Sequence, residues 1–256
     1  MCELMGKPIR AVISITAAIL IWEGVSRSGI VNRALFPPPT AVFRALVEMA
    51  ESGELARDLQ ASIWRALVGF LAGSVAGIAA GLLTGRFSTL DAYVSPILQI
   101  FRPLPPVAII PIIIIWFGIG EVSKVFSIAF AVFFPVWINT DLGARRVPHS
   151  FLWSAYTLGC YYPGLAWRVI LPAAFPYIVG GLRVGIALAF VMVYVSELSG
   201  ASAGIGYQIS VSYLAYRVDR MLAAIAVLGA LGFLSDLLMV KFLRNRFPWL
   251  KLDTSF

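Results

Sequence analysis

A chain of 256 residues that is 60% hydrophobic and only 13% charged lies far from soluble domains, which carry about 25% charged and 45–50% apolar residues. A mean hydropathy of +0.88 sustained over that length implies several membrane spans. The 20 Lys and Arg against 13 Asp and Glu, net +7, are scattered between apolar runs with no basic stripe, so they read as membrane topology and exclude a nucleic-acid surface. Cys2 and Cys160 are too few and too far apart for a disulfide framework or a metal site, and the lone His149 has no ligand or triad partner in the pattern.

The first apolar run, residues 9–25, is short for a span, which needs about 20 apolar residues, and predicts a tilted or flank-extended helix. Lys7 and Arg10 place its N-terminus on the cytoplasmic side. Pro37, Pro38 and Pro39 stop it. From Thr40 to Gln60, Val42, Leu46, Met49 and Leu55 recur near helical spacing beside Glu48, Glu51, Glu54 and Asp58. That pattern predicts an amphipathic helix on the outer face with no chemistry of its own.

The second span, residues 62–84, carries a ladder of Gly69, Gly73, Gly77 and Gly81, continued by Gly85. A glycine every fourth residue lines one helix face and lets a neighbouring backbone come close. The face reads either as tight packing or as a sliding contact for alternating access. Arg86 returns the chain to the inside.

The third span, residues 92–118, is interrupted by Pro96, Pro103, Pro105, Pro106 and Pro111. An interior proline removes a hydrogen bond and kinks a helix at a cost of ~3 kcal/mol or more, and lipid tolerates such backbone only where it is buried in protein or lines water. Arg102 falls near mid-span, where an arginine costs at least about 2.5–3.5 kcal/mol on insertion scales. It reads either as the partner of carbonyls freed by the prolines or as a cation offered to an anionic solute. In the second case Pro103, Pro105 and Pro106 form a constriction, with Ile109, Ile112 and Ile113 as an apolar seal.

An outer turn, Gly118 to Glu121, leads into the fourth span (122–139), and Asp141, Arg145 and Arg146 bring the chain back inside. A fifth span (175–194) carries Arg183 towards its inner end and ends at Ser196 and Glu197. Residues 207–216 read as an interfacial segment. Gly204-Ile205-Gly206 is no dinucleotide fingerprint, since no strand precedes it. The sixth span (221–240) ends in Lys241, Arg244 and Arg246. The expected fold is an all-α polytopic membrane protein of six transmembrane helices with both termini cytoplasmic. Residues 1–60 hold the first helix and the amphipathic segment, 61–247 the core, and 248–256 a cytoplasmic tail. Arg27, Arg33, Arg44, Arg57, Lys124, Arg217 and Arg220 fall on the outer side, against the positive-inside rule.

Between the fourth and fifth spans, residues 143–173 form a polar, helix-prone insert that cannot sit in lipid. Ala155 and Gly159 stand four apart and predict a notch on one helix face, with Leu152, Tyr156 and Leu158 beside it. The insert resembles the EAA loop of binding-protein-dependent ABC-transporter permeases. Ser154 and Ala155 fill the alanine positions, Gly159 the glycine, and Ile170, Leu171 and Pro172 close the pattern, while Trp153 stands where those permeases have glutamate. Ser62-x-x-Arg65-x-x-x-Gly69-Phe70, Arg102-Pro-Leu-Pro-Pro106, Ile110-Pro111 and Trp116 to Glu121 are similar to the nitrate/sulfonate/taurine/bicarbonate branch. So are Gly181-Leu-Arg183, Ser196-Glu197, Gly204 to Tyr207 and Arg246-x-x-Trp249, so the likeness spans roughly residues 35 to 250.

The resemblance implies a five-helix type I ABC importer permease core plus one N-terminal helix, in a bacterial inner (plasma) membrane. It implies a second permease copy, two ABC ATPase subunits docked through Trp153, Ser154, Ala155, Leu158, Gly159, Leu171 and Pro172, and a periplasmic or lipid-anchored substrate-binding protein. Arg102, Pro103, Pro105, Pro106, Ile109 and Glu197 are the pathway candidates, and Gly69, Gly73, Gly77 and Gly81 the packing residues. No cofactor is expected in this chain. It lacks a Gly-rich Lys-Ser/Thr phosphate loop, so ATP and Mg²⁺ belong to the ATPase. Within the branch the solute is a small anion such as nitrate, bicarbonate or a sulfonate, or else a vitamin precursor. A secondary transporter or channel would need a coupling site in the membrane, for which only Arg102, Arg183 and Glu197 are candidates. An enzyme would need a nucleophile–base set that the spans lack.

Overall fold

A computed structural model describes residues 2–247, which form ten α-helices and no strand. The tail 248–256, including Trp249, lies outside the described residues. The order is α1 (Cys2–Arg27), α2 (Pro39–Glu51), α3 (Glu54–Arg86), α4 (Ser88–Phe101), α5 (Ile110–Phe117), α6 (Glu121–Arg145), α7 (His149–Thr157), α8 (Leu171–Leu198), α9 (Ile205–Leu214) and α10 (Val218–Arg246). Four of them, α3, α6, α8 and α10, are long and apolar enough to cross a membrane, and α4 with α5 makes a fifth if that bent pair is one span. The N-terminal α1, with 26 residues, stands outside this set and packs chiefly on α2.

The segment expected to be one amphipathic helix from Thr40 to Gln60 is two elements. Pro39 starts α2 at a position where its missing N–H costs nothing. Gly53, at φ +76°, breaks the chain with a conformation that L residues rarely adopt, and α3 begins at Glu54. A domain boundary at 60/61 therefore falls inside α3. Nor does α2 merely rest on the outer face, since its Ala45 and Met49 are buried against α9 and α10.

The glycine ladder sets the central packing. A Cβ on Gly77 would lie 2.8 Å from the Phe133 carbonyl oxygen, on Gly81 2.7 Å from that of Trp137, and on Gly85 2.7 Å from that of Asp141. The partner positions rise with the ladder, so α3 and α6 run parallel with their backbones almost touching. Across α6, Gly143 meets Ala174 while Gly181 meets Pro135 and Gly185 meets Val132, which makes α8 antiparallel to it. Ile128, Val132, Val136, Ala189 and Val193 fill the layer between them. Because the obstacle at Gly77 is a carbonyl that cannot swing aside, Gly77→Ala should already cost about 1–3 kcal/mol through overpacking, and Gly77→Leu more. A thermal-aggregation assay checks this; equal tolerance of both would mean that the contact is absent.

Parallel α3 and α6 also fix what lies between them. The chain leaves α3 at the Arg145 end, where Asp91 of α4 pairs with Arg145 at 2.6 Å. It enters α6 at the Arg65 end, where Glu121 pairs with Arg65 at 2.6 Å. The α4–α5 pair, bent by 87°, is thus a broken span that crosses, not a loop that returns. The break lies where the prolines predict it, between Phe101 and a 3-10 turn, Pro106–Ile109.

Candidate functional site

α7 sits between α6 and α8 at the Arg145 end. Leu152 and Ala155 point inward and share a core with Ala144, Val147, Leu165 and Ile170. Trp153 and Leu158 point outward, with 69% and 85% of their surface exposed, and Phe151 is exposed beside them. This corrects the expected notch. Ala155 is buried in its own subunit, and Gly159 lies past the end of the helix. The Cys160 N–H donates to Ala155 O (2.9 Å) and the Gly159 N–H to Tyr156 O (3.0 Å), the paired bonds of a Schellman ending, with Gly159 at φ +74°. The glycine is required by backbone handedness, with open space where a Cβ would go. Ser154 is exposed on α7 with Trp153. Leu171 and Pro172 belong to a different element, the first turn of α8. Pro172 leaves the carbonyl four residues back without its usual donor, and a π-helical turn, Ala166–Ile170, lies directly before α8.

At the opposite end the structure assembles a site that no single stretch of sequence announces. Asp58, Ser62 and Arg65 fall on one face of α3 by the i, i+4, i+7 rule, and all three are buried. Arg65 grips Glu121 in a two-pronged pair, Nε to Oε2 at 2.6 Å and Nη2 to Oε1 at 2.7 Å. Its Nη1 donates to Glu197 Oε1 at 2.8 Å and to the Ala203 carbonyl at 2.7 Å. Lys124 adds a second cation to Glu121 at 3.1 Å.

The turn from α8 to α9 closes on this cluster. Gly204 precedes α9 without a side chain to cap it, leaving the first-turn N–H groups open. Other helices cap them: Gly204 N–H to Asp58 Oδ1 (2.9 Å), Ile205 N–H to Ser62 Oγ (2.8 Å) and Gly206 N–H to Glu197 Oε2 (2.7 Å). The carboxylate of Glu197 thus meets both the α9 N-terminus and Arg65, two favourable fields for a negative charge. A Cβ on Gly204 would fall on that carboxylate, and one on Gly206 would sit 2.8 Å from Tyr194 O. Close approach, not phosphate binding, requires this Gly-x-Gly.

Glu197, taken from the sequence as a pathway residue, is therefore 1% exposed with both oxygens engaged, and it holds helices together. Sequence reasoning passed over Asp58, Ser62, Arg65 and Glu121 as site residues. For Asp58, Ser62 and Arg65 the signal was available as a polar i, i+4, i+7 stripe leading into the apolar part of α3; Glu121, on α6, carries no such signal. Arg183, the other intramembrane arginine, pairs with Asp236 of α10 at 3.0 and 3.1 Å.

Arg102 differs from every one of these. It caps the C-terminus of α4, is exposed, and its guanidinium makes no hydrogen bond or ion pair among the described residues. The expectation that it satisfies carbonyls freed by the prolines is not met. Pro103 and Pro105 are exposed around it, Pro106 and Ile109 half-buried and Ile112 exposed, but Ile113 points into the subunit core and is unavailable for a seal.

Residues 73–246 match the family described as "Binding-protein-dependent transport system inner membrane component". The chain belongs to this family. It is 36% identical to a putative aliphatic sulfonates transport permease protein, SsuC, of Bacillus subtilis, over 90% of this chain and 84% of that protein. It is 31% identical to the taurine transport system permease protein TauC of Escherichia coli, over 91% of this chain and 88% of that one. In structure it resembles a chain of the MetNI methionine ABC transporter in an inward-facing conformation, with a TM-score of 0.62 over 75% of this chain and 95% of that one. At 20% identity this likeness concerns the fold alone. As a member of the family the chain is a multi-pass membrane transport component, and the five candidate spans, α3, α4 with α5, α6, α8 and α10, are its framework.

Proposed function

We propose that this chain is the permease half of an ATP-driven importer for a small organic or inorganic anion, of which a sulfonate is favoured by the relatives named for aliphatic sulfonates and taurine. Two copies would pair in the inner membrane. Two ATPase subunits would dock on α7 from the cytoplasm, and an external binding protein would deliver solute at the Arg65 end, leaving both termini cytoplasmic. One observation carries the reading: the Trp153–Leu158 surface of α7 stands exposed on a buried anchor at the Arg145 end, an apolar face that the subunit's own packing leaves uncovered. Trp153 in place of the family's glutamate makes that contact an apolar one.

The test is uptake of taurine or a short alkanesulfonate into proteoliposomes holding the chain with its ATPase and binding protein. Uptake should require ATP and all three components. Uptake driven by an ion gradient without the ATPase would make the chain a secondary transporter instead.

Arg102 would serve the pathway. It lies at the break of the α4–α5 span, and an ion pair at about 4 Å and an effective dielectric near 20 is worth on the order of 4 kcal/mol. Arg102→Ala should lower the transport rate about tenfold or more, with assembly and basal ATP hydrolysis kept. Arg102→Lys should restore part of it, because charge and not fork geometry is what passes an ion onward. Failure of Arg102→Ala to assemble would assign the arginine a structural role.

A further inference from the structure

The cations that break the positive-inside rule at the Arg65 end are nearly all accounted for by carboxylates. Arg57 lies 3.5 Å from Asp58, Lys124 3.1 Å from Glu121, Arg217 2.8 Å from Asp219 and Arg220 3.5 Å from Glu54. Arg33 and Arg44 have no carboxylate partner among the described residues. They meet in one place. A concavity of about 340 Å³ at the junction of α1 and α2 is lined by Arg27, Arg33, Arg44, Pro38, Thr40 and Ala41.

The site is built and not a chance gathering of side chains. Arg33 Nη2 donates to the Arg27 carbonyl at 3.1 Å, and Arg27 Nη2 to Thr40 Oγ1 at 3.3 Å. Glu23 takes Arg27 at 2.6 Å and the Thr40 N–H and hydroxyl at 3.2 and 2.9 Å, so the carboxylate is spent within the wall. Three guanidiniums against one carboxylate leave a charge of +2 facing an open hollow. Its size falls within the range of ligand sites, about 300–1,000 Å³.

Its position names the ligand. α1 is 26 residues long, about 39 Å at 1.5 Å per residue, and its Ile15, Ile19 and Leu20 are exposed, as on a helix facing acyl chains. The hollow opens at the C-terminal end of this helix, where a bilayer's hydrocarbon gives way to headgroups. In the chain segments that supply its lining, Ile30, Leu35 and Phe43 are exposed, apolar residues that water does not favour and an interface does. A cationic cup with an apolar rim at headgroup depth fits a phosphate that is itself tied to acyl chains.

We propose that Arg27, Arg33 and Arg44 form a binding site for the phosphodiester headgroup of an anionic phospholipid, which fastens the otherwise loosely packed α1 to the rest of the subunit. The inference is independent of which solute is carried and of how the ATPase docks.

The full chain, purified in a neutral detergent, is titrated with phosphatidylglycerol or phosphatidylcholine, and bound lipid is counted by native mass spectrometry. Phosphatidylglycerol should be preferred. Its retention should fall about fivefold for each of Arg33→Gln and Arg44→Gln and about thirtyfold for the pair, following the attraction of a basic side chain to an anionic lipid surface. Arg217→Gln at the same end, already paired with Asp219, should bind as the wild type does. The pair Arg33→Lys with Arg44→Lys should keep the preference, since lysine holds phosphate as a point charge. Unchanged retention in the double glutamine variant overturns the proposal, as does its loss in the lysine pair, which would mean that the arginines only shape the turn. Binding of inorganic phosphate or methanesulfonate that the glutamine pair abolishes, without any preference for phosphatidylglycerol over phosphatidylcholine, would make the hollow a soluble-anion site and also overturn it.

Discussion

Arg65→Met is expected to destabilise the subunit by about 3–5 kcal/mol, the cost of breaking a buried ion pair from one side. For a chain of this size that is a fall in melting temperature on the order of 10 °C. Arg65 is 4% exposed and Glu197 1%, so neither can turn to water when its partner is removed. Without the guanidinium, Glu197 keeps its bonds to Ser62 and Gly206 but is left as an uncompensated charge near Asp58 and Glu121. Glu197→Gln in the same chain should recover much of the loss, because the amide oxygen still accepts from Gly206 while the buried charge is gone. Salt should have little influence on either result, since a buried pair is poorly screened. Thermal unfolding of the three variants in one detergent decides the matter. A shift of only a degree or two for Arg65→Met would mean that water enters the cluster and that α3, α6, α8 and α9 are not fastened there.

That cluster bears on transport through mechanics. It ties the α8–α9 turn to α3 and α6 at one end, while α7 is anchored between α6 and α8 at the other. The interleaved glycines of α3, α6 and α8 bring these helices into backbone contact between the two ends. A push on α7 therefore meets a closely packed three-helix unit. The broken α4–α5 span touches that unit more lightly, and α10 is buried over only 17% of its apolar window. If parts of the subunit shift relative to one another during transport, these two are less constrained than the glycine-packed centre.

How much of this could be read in the sequence depends on the range of the interaction. The long helices α3, α6, α8 and α10, the proline break and the ladder face follow from local patterns, and they stand where expected, whereas the single helix expected from Thr40 to Gln60 is broken at Gly53. The partner of the ladder did not follow, because nothing local tells Gly77 that it will meet Phe133 and not a second copy of itself. Gly159 was misread for a related reason: glycine can mean close approach or left-handed backbone, and only φ separates the two. Asp58, Ser62, Arg65, Glu121, Glu197 and Gly204 are spread over nearly 150 positions, and each looks ordinary alone. Their family-like motifs were visible one by one, but their common purpose needed three dimensions. Arg102 shows the reverse case. Mid-span arginines suggest a partner, and among the described residues the subunit supplies none, which is why the role proposed for it is in the pathway.

Replacing Trp153 and Leu158 together, as Trp153→Ala with Leu158→Ser, should weaken association with the ATPase by at least about a hundredfold while leaving the subunit as stable as before. Both side chains are exposed, so their loss removes no internal packing. A large aromatic at the centre of an interface typically carries about 2 kcal/mol or more of binding, and a leucine beside it adds apolar area at about 25 cal/mol per Å². Two controls separate docking from folding. Leu152→Ala, one residue away but buried, should destabilise the α7 loop by about 2–5 kcal/mol and lose the ATPase only as a consequence. Gly159→Asn should be mild and Gly159→Val harsher, because asparagine tolerates the left-handed backbone and a β-branched residue does not; that difference would appear in stability before it appears in binding. The measurement is co-purification of the ATPase alongside a melting curve for each variant. If the exposed pair is replaced and the ATPase still binds at full strength, the docking surface lies elsewhere at the Arg145 end. The exposed Tyr161 and Trp167 would then be the next side chains to remove.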